Sequence, residues 1–109
     1  MKPTLAPEIA NYIAADHAND ADRFGRCFTE QALVRDEGHS HHGRAEIQNW
    51  HVASKAKYQH AIEPLTAVKA DGKTVVKMRL SGNFPGSPAE VGFAFRLADG
   101  KIAALEIGL

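Results

Sequence analysis

After Gln59 the spacing of apolar residues changes from helical, about 3.6, to alternating, and it stays alternating to the C-terminus. The runs HAIEPLTAVKA (60–70), TVVKMRLSGNF (74–84), AEVGFAFRL (89–97) and KIAALEIG (101–108) are separated by Asp71-Gly72, Pro85-Gly86-Ser87-Pro88 and Asp99-Gly100. Asp-Gly favours a tight hairpin turn, so these runs read as four antiparallel strands. Pro64 lacks a ladder donor and points to an edge strand or a bulge in the first of them. Gly82 and Gly92 inside strand runs suggest bends or close backbone approach, as a strongly curved sheet needs.

The first half is helical. LAPEIANYIAADHA (5–18) carries Ile9, Tyr12, Ile13, Asp16 and His17 at three- and four-residue spacing, and Pro7 and Glu8 favour the first turn. Asn19 with Asp22 has capping-box spacing for a short second helix bearing Phe24, Cys27 and Phe28. ALVRDE (32–37) alternates as a strand with Ala32, Val34 and Asp36 on one side; GHSHHG (38–43) reads as a loop. A third helix spans about Arg44 to Tyr58, aligning Ile47, Trp50, His51 and Ser54. Helices followed by a meander predict an α+β domain, with helices covering one face of a curved sheet.

Composition narrows the function. A length of 109 residues suits one domain, spanning 1–109, and 44% apolar residues suit a real core. Thirteen basic residues balance thirteen acidic ones, which argues against nucleic acid and against electrostatic docking on an anionic membrane. No apolar run is long enough for a span or a signal peptide, and one cysteine, Cys27, permits no internal disulfide, so a cytoplasmic setting is expected. No phosphate-cradling glycine motif occurs, and no cofactor is expected.

The order of elements, with ANDADRF at 18–24, CFTEQALVRDEG at 27–38, HHGRAEIQNW at 41–50 and DGKIAALEI at 99–107, resembles the NTF2-like superfamily of SnoaL-like and ketosteroid-isomerase-like proteins. The resemblance implies a cone: three N-terminal helices on the concave face of a curved, mostly antiparallel sheet, with a deep pocket between. It also implies a homodimer through the convex sheet face. In ketosteroid-isomerase-like members the general base is an aspartate at the end of the first strand, where Asp36 falls. A tyrosine in the first helix donates to the oxyanion, and Tyr12 falls there. A protonated acid on the penultimate strand is the second donor; here that place holds Phe93, so one donor worth about 3 kcal/mol is missing.

On their own terms, the residues suggest similar candidates. Asp36 shares a strand face with Ala32 and Val34, so burial would raise its pKa toward a useful general base. Tyr12 on an apolar stripe needs a hydroxyl partner, and His41 at the mouth of the pocket is a candidate proton-transfer partner for Asp36. Trp50, His39, His51, Phe93, Phe95, Leu97, Leu105 and Ile107 are expected to line a site for a small hydrophobic ligand. The loop histidines form no fixed metal-ligand set, and no metal is expected. An isomerase, cyclase or dehydratase, a non-catalytic ligand binder and a dimerisation module all fit this pattern.

Overall fold

The computed structural model describes residues 3–108. Its elements are α1 (Pro7–Ala18), α2 (Ala21–Arg26), β1 (Phe28–Asp36), β2 (His39–His42), α3 (Arg44–Tyr58), β3 (Ala61–Ala70), β4 (Lys73–Ser81), β5 (Ala89–Ala98) and β6 (Lys101–Ile107). All three helices contact one face of the sheet, α1 on β3 and β6, α2 on β1, and α3 on β1 and β2.

Local chemistry sets the helix ends. Pro7 supplies the preset φ of a first turn, and Asn19 closes α1 in the left-handed region at φ 53°, its N–H donating to the Asp16 carbonyl at 3.1 Å. Asn19 is therefore occupied as the end of α1 and does not cap α2 as expected. Asp20 does, accepting from the Arg23 N–H at 3.1 Å. The second helix stops at Arg26, and Phe28 opens β1 instead of closing the helix.

The run GHSHHG is not a loop. Glu37 (φ 54°) and Gly38 (φ 77°) make a two-residue turn with both φ values positive, and β2 folds back on β1, pairing Asp36 with His39 and Val34 with His41. The two Asp-Gly pairs form the predicted turns between β3 and β4 and between β5 and β6. Pro64 satisfies both of its expected roles: β3 is an edge strand, and its register with β4 shifts between Pro64 and Thr66.

The expected cone is corrected by the sheet topology. The six strands form one open sheet in the order β2-β1-β6-β5-β4-β3, neither closed nor strongly curled, with β2 and β3 at its two ends. It is mixed: β1 runs parallel to β6, joining the N-terminal hairpin to the antiparallel meander. Of the two glycines read as bends, Gly82 has another task. Gly82 follows β4, where a Cβ would lie 2.6 Å from the Tyr58 carbonyl oxygen, so its bare Cα allows the end of β4 to touch the end of α3. It brings two parts of the cavity wall together rather than curling the sheet.

The helices and the inner sheet face enclose a core containing Ile9, Tyr12, Phe24, Phe28, Met78, Phe93 and Phe95. Tyr12 sits among four phenylalanines, with ring centroids 5.0 Å from Phe24 and 5.3 Å from Phe95. Each fully buried Phe contributes on the order of 2–3 kcal/mol.

Candidate active site

At one end of this core the packing leaves a cavity of about 390 Å³, bounded by α1, the β1–β2 turn, α3, the start of β3 and the β4–β5 loop. The register of α3 builds most of one wall. Trp50, Ser54 and Tyr58, each four residues apart, face the cavity, whereas Ile47 and His51 on the adjoining stripe are buried. Phe93 and Ile107 supply the sheet side, and Ile62, Leu80 and Phe84 complete an apolar lining.

Asp36 reaches the cavity from the last position of β1. The Trp50 indole N–H donates to its Oδ2 at 3.2 Å. Burial pushes the Asp36 carboxyl above its ordinary value and the neighbouring Glu37 charge adds to this, against the hydrogen bond from Trp50 and the attraction of His41. His41 does not reach the lining; its ring stacks on Trp50 with centroids 5.7 Å apart, at the outer side of the wall. Tyr12 lines the cavity from α1, and its hydroxyl is held protonated by burial and by the charges of Asp16 and Asp36, so it is a donor.

A second polar group stands behind the other wall. Asp16, one turn after Tyr12, is 1% exposed. His51 Nε2 lies 2.7 Å and His60 Nε2 2.9 Å from the same carboxylate oxygen, Oδ1. Lys55 Nζ lies 3.2 Å from Oδ2, an ion pair without hydrogen-bond alignment, and it donates to the His60 carbonyl at 2.7 Å. Burial would raise the Asp16 carboxyl, but the two histidine hydrogen bonds and the charges of His60 and Lys55 prevail and hold it well below the usual carboxylate range. His51 is 1% exposed and stacks on Phe24 at 3.7 Å, shut off from the cavity; His60 lines it.

Asp16, His51 and His60 place three possible metal-ligand atoms within 4.8 Å of one another. The arrangement suits protons better than a cation. Both imidazole nitrogens converge on one oxygen at hydrogen-bond distance, and the Lys55 ammonium already supplies the positive charge a metal would bring.

Of the sequence candidates, the cavity gathers Tyr12, Asp36, Trp50, Phe93 and Ile107. Phe95 and Leu105 are buried in the core and Leu97 packs beside it at the β5–β6 register shift. His39 is exposed on β2, and His51 serves Asp16. Sequence reading missed Tyr58 and His60 and gave Asp16 no site. The available signal was Asp16 itself: a carboxylate on the buried stripe of a helix requires donors from elsewhere. His17, in the last turn of α1, meets the Ile62 carbonyl of β3 at 3.1 Å.

A family model described as a SnoaL-like domain matches residues 9–105. A candidate polyketide cyclase from Sinorhizobium meliloti is 39% identical, with 94% of each chain covered and a TM-score of 0.91. A hypothetical protein from Catenulispora acidiphila with a ketosteroid-isomerase-like fold, solved in complex with trimethylamine, is 17% identical over 97% of this chain and 87% of its own, with a TM-score of 0.84. The epoxide hydrolase/cyclase-like enzyme SalBIII, of pyran ring formation in salinomycin, is 20% identical over 93% of this chain and 86% of its own, with a TM-score of 0.79. The last two share the fold alone. No curated protein sequence matches the chain.

Proposed function

The chain belongs to the SnoaL-like domain family, and from that premise we propose that it is a small-molecule enzyme of the cyclase or isomerase kind, working by proton transfer between its own side chains. One observation carries this reading: a carboxylate, Asp36, stands in the wall of an apolar cavity of about 390 Å³ with its pKa raised by burial and one oxygen held by Trp50. Asp36 takes a proton from the carbon beside a carbonyl, and the Tyr12 hydroxyl donates to the oxygen on which negative charge collects. The cavity suits a mostly apolar ketone of one or two rings, or its open-chain precursor, and the Sinorhizobium relative supports a polyketide-like class.

The test is hydrogen–deuterium exchange of 2-tetralone, a bicyclic ketone with acidic protons at C1, followed by proton NMR in D2O. The wild-type protein is expected to accelerate exchange at C1, and Asp36→Asn to abolish the acceleration while remaining folded. Equal rates with and without protein, or no effect of D36N, would instead favour a non-catalytic binding module.

The same proposal extends to the whole chain. It acts as a single domain over residues 1–109 in the cytoplasm, where its one cysteine is kept reduced. Two copies pair through the sheet face that carries no helix, where Val75, Ala94 and Ala104 lie among the ion-paired Arg79–Glu63 and Lys77–Glu90. Among the described residues no helix is long and apolar enough to cross a membrane.

A further inference from the structure

The cavity contains a second titratable group to which enolisation by Asp36 and Tyr12 gives no task. His60 lines the cavity with its side chain 15% exposed, and its Nε2 faces Asp16 Oδ1 at 2.9 Å. Asp16 is ionised and so can only accept; the proton of that hydrogen bond is on Nε2. The free nitrogen of neutral His60 is therefore Nδ1. Among the described residues Nδ1 has no protein partner, yet the buried unpartnered side-chain atoms are Asp16 Oδ2 and His51 Nδ1, so His60 Nδ1 is accessible. Both the ring and the backbone of His60 are anchored, the ring by Asp16 and the carbonyl by Lys55.

We propose that His60 is a second catalytic acid–base group, carrying the proton of the substrate's carbonyl oxygen, with Asp16 as its positioning residue. This rests on the enolising role of Asp36. As the Asp36 carboxylate takes the α-proton, the C–H electron pair becomes the new C=C bond and the carbonyl π pair moves to oxygen. Protonated His60 gives its Nδ1 proton to that oxygen, leaving an enol, a protonated Asp36 and a neutral His60. Return of the proton to carbon runs both transfers backward and restores both groups. His60 thereby supplies, from the link between α3 and β3, a donor in a cavity whose β5 wall offers only the Phe93 ring. The fitting substrate is a ketone that can place its α-carbon at Asp36 and its oxygen at His60.

The experiment uses 2-tetralone exchange together with long-range proton–nitrogen NMR of the intact protein. Neutral His60 in the wild type is expected to show the Nε2–H tautomer. His60→Gln is expected to slow catalysed exchange about 100-fold, with KM changed less than about threefold. Asp16→Asn is expected to slow it comparably and to convert His60 to a mixture of tautomers, because an amide can donate to Nε2 as well as accept from it. A merely structural Asp16 would leave the tautomer unchanged. Exchange lost in D36N but unaffected in H60Q overturns the role of His60 and leaves that of Asp36 standing. Wild-type exchange no faster than exchange without protein overturns both, and an Nδ1–H tautomer overturns the positioning by Asp16. If D16N does not fold, H60Q and the wild-type tautomer decide between these outcomes.

Discussion

Two aspartates in this chain are driven in opposite directions by their surroundings. Asp36 has one indole donor and a raised pKa; Asp16 has two imidazoles and an ammonium and a lowered one. The contribution of a raised carboxyl to the fold is fully present below its unfolded pKa and is lost as pH rises through the folded value. At pH 7 ionised Asp36 is thus a cost, and D36N is expected to unfold thermally at the same temperature as wild type or slightly above it. The difference should shrink toward pH 4, and a loss of more than about 2 kcal/mol would make Asp36 structural. Asp16 contributes stability above its unfolded pKa of ~3.9, lost as pH falls toward its depressed folded value. D16N should cost about 3 kcal/mol in urea unfolding at pH 7, with the gap narrowing below pH 4. Asp36 could be read from the sequence because strand alternation put it beside Ala32 and Val34. The partners of Asp16 could not, because they lie 35 and 44 residues away and only the packing of α1 against α3 and β3 joins them.

At the scale of elements, the helices and the meander were legible because their apolar periods are long and their turns carry Asp-Gly or Pro-Gly. β2 was hidden: an edge strand made of His-Ser-His-His has no apolar face to mark its period, and Glu37-Gly38 is a less familiar turn pair than Asp-Gly. The parallel pairing of β1 with β6 is likewise absent from local pattern, since it joins strands about 70 residues apart in the sequence. The contact of β4 with α3 depends on one atom's absence. A Cβ at Gly82 would sit 2.6 Å from the Tyr58 carbonyl, 3.1 Å from His60 Cα, and backbone cannot yield as a side chain tip can. Gly82→Ala is therefore expected to cost about 1–3 kcal/mol in chemical unfolding. It should also displace Tyr58 and His60, visible as chemical-shift changes concentrated on the cavity wall. An unchanged unfolding midpoint would show that the two ends can separate freely.

For the molecule as a whole, the three helices leave the outer sheet face uncovered, and sedimentation equilibrium at micromolar concentration is expected to give about twice the 11.8 kDa of one chain. A single-chain mass would remove the dimer. The resemblance visible in the sequence extended to family, to helix placement and to the position of Tyr12 and Asp36 in the cavity lining, but not to sheet shape, because open and curled sheets share the same alternation along each strand. What the architecture accomplishes is to hold a desolvated carboxylate against an apolar cavity, and turnover by the intact protein tests that most directly. The measurement is the pH profile of kcat/KM for 2-tetralone exchange. A rising limb with its midpoint above the ~3.9 of free aspartate, absent in D36N, is expected. A midpoint at or below that value, or a profile that D36N leaves in place, would contradict Asp36 as the base.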